Sequence, residues 1–155
     1  MNYNTEVKNA FDDWAETYES DVVPKLKFRG YSYDELASII LSYSKNSLSP
    51  LPFLELGVGT GVLGRHIKAL SPSTRIDGLD ISPEMLKKAR EKKVYEELYL
   101  SSADEYIYDQ KRSFIYSAFM FHSVREQEHL LKSIADTLID KGLFILVDLV
   151  PNMKI

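Results

Sequence analysis

From residue 51 onward, short apolar segments alternate with amphipathic ones about ten residues long, and this alternation constrains the fold more than any other feature of the sequence. Segments 51–56, 74–80, 94–100, 113–119 and 142–149 predict strands. Segments 61–70, 82–92 and 126–139 predict helices; Val62, Leu63, Ile67 and Leu70 share one face of the first, and Leu130, Leu131, Ile134 and Leu138 one face of the last. Strands separated by helices join through right-handed crossovers, so the sheet is mostly parallel. Leu143-Phe144-Ile145-Leu146-Val147 is apolar at every position, which predicts a strand covered on both faces. The fold class is α/β, a doubly wound sheet of about five strands with helices on both faces.

The first third reads differently. Val7, Ala10, Phe11, Trp14, Ala15 and Tyr18 recur at helical spacing and predict an amphipathic helix over 4–19; Leu36, Ile39, Ile40 and Tyr43 predict another over 32–44. The prolines of segment 45–52 predict a loop. With 155 residues, 45% of them hydrophobic, the chain fits one domain with one core. The expected division is an N-terminal helical part, 1–48, over an α/β core, 49–155. The absence of cysteine excludes disulfides and cysteine nucleophiles and fits a reducing compartment. No apolar run is long enough to span a bilayer, and Met1 to Asp13 lacks the apolar block of a secretory signal, so a cytoplasmic protein is expected. A net charge of −4 argues against a dedicated nucleic-acid binder.

The first strand, Leu54-Glu55-Leu56, runs into Gly57-Val58-Gly59-Thr60-Gly61. Glycine lacks a Cβ and tolerates positive φ, so a ligand can lie against such a turn while the following helix N-terminus faces it. Two registers compete. Gly59-Thr60-Gly61-Val62-Leu63-Gly64 satisfies G-x-G-x-x-G with Asp80 about twenty residues on, the pattern of a nicotinamide dinucleotide site. In that pattern the first glycine closes the strand, and here Gly57 already does so. The other register, an acidic residue followed by glycines at alternate positions from Glu55 to Gly61, matches S-adenosylmethionine binding.

Glu55-Leu56-Gly57-Val58-Gly59-Thr60-Gly61 resembles the first motif of class I S-adenosylmethionine-dependent methyltransferases. Gly78-Leu79-Asp80-Ile81-Ser82-Pro83, Ser102-Ala103-Asp104, Ser117-Ala118-Phe119-Met120-Phe121-His122 and Asp140-Lys141-Gly142 resemble its later motifs in order, and Phe11 to Tyr18 resembles the lid helix of small-molecule members. The resemblance implies a Rossmann-like core under an N-terminal lid, with S-adenosylmethionine as cofactor and S-adenosylhomocysteine as product. It implies cofactor contacts at Tyr18, Glu55, Gly57, Gly59, Gly61, Asp80, Ile81, Ala103, Asp104 and Ser117. Asp80 accepts from the ribose hydroxyls, Glu55 reaches toward the amino group, and Ala103 and Asp104 meet the adenine. Trp14 with Tyr18 closes over the methionine portion.

Methyl transfer from a sulfonium needs alignment and exclusion of water, with a base where the acceptor loses a proton. His122, just beyond the fourth strand, is the candidate catalytic base, and Asp148 near the end of the fifth is a second polar candidate. No metal site is expected. The Asn/Asp-Pro-Pro-aromatic motif of amino-methylating DNA enzymes is absent, which leaves a small-molecule acceptor against residues such as Phe119 and Phe121. The family normally adds a helix and two strands after the fifth strand. Their absence leaves strand five as an apolar edge, where two copies are expected to pair. A cofactor-binding module without acceptor chemistry, and a nicotinamide oxidoreductase, stay open as alternatives.

Overall fold

A computed structural model describes residues 2–45 and 49–149. The middle of the expected loop 45–52, and with it the boundary at 48, lies outside the described residues. Three helices come first: α1 (Tyr3–Trp14), α2 (Tyr18–Phe28) and α3 (Tyr33–Ser44). The alternating part follows as β1 (Phe53–Leu56), α4 (Val62–Leu70), β2 (Ile76–Asp80), α5 (Pro83–Lys92), β3 (Leu98–Leu100), β4 (Arg112–Ala118), α6 (Gln127–Thr137) and β5 (Leu138–Val147). A single 3-10 turn, Phe121–Ser123, lies between β4 and α6. Strand order is β3-β2-β1-β4-β5 and every pairing is parallel. The chain winds outward from β1 through β3, then returns to β4 on the other side of β1. Such a reversal leaves a crevice beyond the carboxyl ends of β1 and β4, where ligands bind in open α/β sheets.

Alternation along the strands sends successive side chains to opposite layers. Leu54, Leu56, Leu79 and Ile115 pack with Leu130 and Ile134 of α6. Ile76, Phe114 and Tyr116 pack on the other face with Ala37 and Ile40 of α3 and with Ile67 of α4. Helices therefore cover both faces, as expected. Local chemistry sets their starts. Ser32 and Glu35 form a capping box at α3, and Ser82 caps α5 by accepting from the Met85 N–H, with Pro83 in the first turn.

Two expectations change. The first predicted helix stops at Trp14, and α2 continues where no element was expected, with Pro24 inside it. The Trp14 indole N–H donates to Asp21 at 2.7 Å and braces the junction between the two helices. β5 begins at Leu138, four residues early. Leu138 opposes Arg112 and Leu143 opposes Phe114, so residues 139–142 bulge outward through Lys141, whose φ is 60°. β5 is also less covered than its apolar run predicts, with Leu143 and Leu146 more than a third exposed.

At the amino end of the sheet Arg112 and Asp77 form a buried ion pair at 2.5 Å. Asp77 also accepts from the Glu97 N–H, and Arg112 donates to the Pro52 carbonyl, so β2, β4 and the entry to β1 are locked together. Removing one partner strands the other charge in the core. Asp77→Ala is expected to cost about 3–5 kcal/mol in urea denaturation, and Asp77→Leu combined with Arg112→Met to recover most of that loss.

Candidate active site

β1 delivers its chain into a turn where Gly57, Gly59 and Gly61 have φ of 75°, 52° and 83°. Gly57 and Val58 donate their N–H groups to the Leu79 carbonyl. One step further on, the Gly59 N–H donates to Asp80 Oδ2 at 2.8 Å, and the Ser82 N–H donates to Asp80 Oδ1 at 2.9 Å. A single carboxylate at the end of β2 thus ties the β1–α4 turn to the β2–α5 turn. Burial pushes Asp80 up to about 6, against the lowering effect of these N–H donors.

The three glycines do different work. A Cβ on Gly57 would meet Met120 Cβ and Cγ at 2.5 Å, whereas one on Gly59 would meet only Tyr18 Cε1 at 3.8 Å. Gly59 is therefore the open face of the turn. A Cβ on Gly61 would meet Ala89 Cα at 3.1 Å and Tyr95 Cε2 at 3.2 Å. The Tyr95 ring occupies the Cβ position of Gly64, and at Gly78 a Cβ would meet Val58 Cγ1 and Leu98 Cδ2 first and the Tyr95 ring at 3.1 Å. The ring thus lies beside all three glycines, and its hydroxyl donates to Glu55 Oε2 at 2.8 Å. The Tyr116 hydroxyl donates to the same oxygen at 2.9 Å. Burial pushes Glu55 up to about 8; the two hydroxyls pull it down, and Asp80 adds to the rise. Burial, with Glu55 beside them, pushes both phenols well above their ordinary value.

A cleft opens over the carboxyl ends of β1, β2 and β4. Gly57, Gly59, Asp80, Ile81 and Met85 form one wall, and Ser101, Ser102 and Ala103 the end beyond β3. Ala118, Phe119, Met120, Ser123 and Val124 form the wall after β4. Asn4, Val7 and Phe11 of α1, with Tyr18 of α2, roof it. A second, smaller cavity adjoins it as an inner arm, shares Tyr18, Gly57, Gly59, Ala118 and Phe119 with it, and is lined by Glu55. Phe119 holds a left-handed φ of 60°, costing on the order of 1 kcal/mol, and its N–H donates to the Val147 carbonyl. That kink turns the chain so that Phe119 and Met120 both face the cleft. The roof is tied down by polar contacts, since no residue of α1 is buried. Tyr3 donates to the Ser123 carbonyl, Asn4 to Glu105, and the Ser82 hydroxyl to Asp12.

Of the residues expected at the site, Tyr18, Gly57, Gly59, Asp80, Ile81 and Ala103 line the cleft and Glu55 its inner arm. Four lie elsewhere. Gly61 packs against α5, where its missing side chain makes room for Ala89 and Tyr95. Asp104 turns away to the Ser102 hydroxyl and the Glu126 N–H. Ser117 is fully buried and, by strand alternation, shares the α6 side of β4 with Ile115; its neighbour Ala118 lines the cleft instead. His122 lines neither cavity and pairs through its ring Nδ1 with Asp148 at 2.6 Å. Trp14 faces Asp21, and Phe121 packs in the core under α6. The sequence reading missed Tyr95, Met120 and Val7. Glycines at 61, 64 and 78 were the trace of Tyr95, legible only once the fold brings them together.

A family profile described as a methyltransferase domain matches residues 54–144, from β1 to β5. The chain belongs to the methyltransferase-domain family. This methyltransferase domain is 30% identical over 105 residues to the demethylmenaquinone methyltransferase of Thermotoga maritima, a match covering 67% of this chain and 46% of that protein. It is 31% identical over 105 residues to the malonyl-[acyl-carrier protein] O-methyltransferase of Legionella pneumophila, covering 67% of this chain and 34% of that protein. The match thus spans less than half the length of either curated relative. The solved complex of DhpI with SAH superposes with a TM-score of 0.71 at 22% identity, over 92% of this chain and 67% of that one. CalS10, an amino pentose methyltransferase from Micromonospora echinaspora, superposes with a TM-score of 0.70 at 18% identity, over 86% and 56%. These likenesses show a methyltransferase-type α/β fold.

Asp80 and Glu55 of this methyltransferase domain hold protons more tightly folded than unfolded, Asp80 up to about 6 and Glu55 up to about 8. Their contribution to stability is complete at low pH and fades as pH rises through those values. Glu55→Gln removes one of the two titrations and keeps an oxygen for the tyrosines. Between about pH 5 and pH 8, wild type is expected to lose stability relative to Glu55→Gln in denaturant titrations; parallel curves would contradict this.

Proposed function

We propose that this domain binds S-adenosylmethionine and transfers its methyl group to a small organic acceptor. The observation that carries the reading is a pair of carboxyl groups, Asp80 and Glu55, lining two adjoining cavities that share Tyr18, Gly57, Gly59, Ala118 and Phe119. Asp80 faces the cleft beside the open glycine, Gly59, and Glu55 closes the inner arm. Each Asp80 oxygen accepts one backbone N–H and keeps lone-pair capacity for a ribose hydroxyl. Ile81 and Ala103 flank the place for the adenine, and Glu55 faces the end suited to a cationic amino group. Tyr18 separates the two arms. Gly61, Asp104 and Ser117 serve this site by shaping the backbone around it. When bound, the cofactor supplies an electrophilic methyl group. The chain supplies orientation through Asp80 and Glu55, and a dry cleft through Val7, Phe11, Phe119 and Met120.

Relatives named for demethylmenaquinone and malonyl-[acyl-carrier protein], and a neighbour named for an amino pentose, support a small organic acceptor. The 1–48 segment acts as the lid in this reading. The half-exposed Leu143 and Leu146 support pairing of two copies along β5. No described helix is long and apolar enough to cross a membrane, and a cytoplasmic setting is the one we propose. A nicotinamide dinucleotide is disfavoured because Gly57, two residues ahead of the first glycine of its pattern, already closes β1 with a φ of 75°.

Titration calorimetry with S-adenosylmethionine, S-adenosylhomocysteine and NAD tests the reading. Both adenosyl ligands are expected to bind, and Asp80→Ala to weaken them by about 1–3 kcal/mol through loss of charged hydrogen bonds. Binding of NAD alone would overturn the assignment. Methyl transfer to an acceptor separates an enzyme from a module that only holds the cofactor.

A further inference from the structure

The last turn of α2 shows an aromatic side chain and a group of cations to solvent. Residues 22–31, Val-Val-Pro-Lys-Leu-Lys-Phe-Arg-Gly-Tyr, hold three cations and no acid in a chain of net charge −4. The turn is closed firmly. The Tyr31 N–H donates to the Leu26 carbonyl and the Gly30 N–H to the Lys27 carbonyl, both at 3.0 Å, with Gly30 at a φ of 80°. In this Schellman arrangement the residue after the glycine commonly packs back on the last turn. Here Leu26 is packed in the core with Val22 against it, yet Tyr31 is 66% exposed and Phe28 93%.

Helical geometry arranges this face. Phe28 points away from Leu26, Pro24 lies one turn before it, and Lys25 and Lys27 flank it on either side. Pro24, Lys25, Lys27 and Arg29 are all exposed. Among the described residues no carboxylate oxygen lies within 4.0 Å of Lys25, Lys27 or Arg29. The acids nearest in sequence are engaged elsewhere: Asp21 accepts from Trp14 and Thr17, Asp34 meets His66, and Glu35 closes the capping box of α3. An exposed aromatic ring flanked by unpaired cations complements a surface that offers hydrocarbon beneath negative charge. One helical turn is too small for the roughly 1,200–2,000 Å² of a stable protein–protein interface, whereas a bilayer asks for no matching shape. Lysine and arginine stems can lie along apolar surface while their heads reach phosphates.

We propose that the end of α2 docks this protein on the surface of an anionic bilayer, with Phe28 and Tyr31 inserted at headgroup level and Lys25, Lys27 and Arg29 against the lipid phosphates. The contact is peripheral, since no described helix is long and apolar enough to cross a membrane. Tyr18, which lines both cavities, begins the same helix, so Phe28 stands about 15 Å along α2 from the cleft. Docking does not depend on what the cleft binds.

Co-sedimentation of the full chain with vesicles of equal phosphatidylglycerol and phosphatidylcholine, and with phosphatidylcholine alone, tests the surface. Binding is expected on the anionic vesicles, about tenfold or more weaker on phosphatidylcholine, and falling as salt rises. Lys25→Glu, Lys27→Glu and Arg29→Glu together should lower anionic binding about 100-fold, and Phe28→Ala with Tyr31→Ser about tenfold. Ile107→Ser, which removes an exposed apolar side chain elsewhere, should leave it unchanged. Far-UV circular dichroism checks that the helices persist in each variant. Phe28→Trp gives an independent readout: its added emission is expected to shift to the blue on anionic vesicles and to be quenched by brominated acyl chains, beyond any change of Trp14 in wild type. No binding to anionic vesicles, equal binding to phosphatidylcholine, an equal loss in Ile107→Ser, or no quenching in Phe28→Trp overturns the proposal. Anionic binding at full strength in Phe28→Ala with Tyr31→Ser assigns the patch to a soluble polyanion, a nucleic acid or an acidic protein, and overturns it as well.

Discussion

Glu55 is a carboxylate buried in the middle of a five-stranded sheet, and a group in that position must be given donors. β1 supplies none of them. Tyr116 reaches it from the neighbouring strand β4, and Tyr95 from the connection between α5 and β3. Tyr95 gets there because Gly64 leaves the space its ring and hydroxyl fill, with Gly61 and Gly78 close against the ring on either side. The glycines of the first turn thus answer two demands at once. Gly59 keeps a surface open for a ligand, while Gly61 and Gly64 make room for the tyrosine that satisfies the acid beneath it. Substituting the buried acid or its donors disturbs the floor of the cleft before any ligand arrives.

Asp80 does the corresponding work on the upper side. Its two oxygens take one N–H from each of the turns that follow β1 and β2, which sets the distance between those turns. The position of this crevice is topological, since adjacent parallel strands leave in opposite directions beside β1. Its depth is chemical, fixed by where Asp80 and Glu55 stand. The roof is a different kind of structure. α1 carries Val7 and Phe11 over the cleft yet buries no residue of its own, and its hydrogen bonds land on both banks through Asp12, Asn4 and Tyr3. Few buried apolar contacts and many exposed polar ones place such an element at the low-stability end of a fold. That suits a cover that must open for ligands.

Much of the core was legible because its signals are local. Apolar periodicity located each described α-helix and strand after residue 50, although it carried the last helix to residue 139, where Leu138 and Ile139 already belong to β5. Legibility failed where a distant partner decides. Pro24 sits inside α2 with the junction to α1 braced by Trp14 and Asp21, a contact that periodicity does not encode. The apolar run of β5 reads as a doubly covered strand, yet the described fold leaves Leu143 and Leu146 more than a third exposed. Motif position also overstated contact. Ser117 and Ala118 are neighbours in one motif, but the pleat sends only Ala118 to the cleft.

The sequence by itself determined the α/β class, the glycine turn at the end of β1 and the acidic residue closing β2, because periodicity, missing side chains and spacing act within a few residues. Only the tertiary structure decided which glycine faces the open cleft and which faces Tyr95, that Glu55 is held by two tyrosines, and that His122 meets Asp148. Those facts depend on residues 26 to 61 positions apart, and only the packing of the sheet and its helices brings them within hydrogen-bond reach.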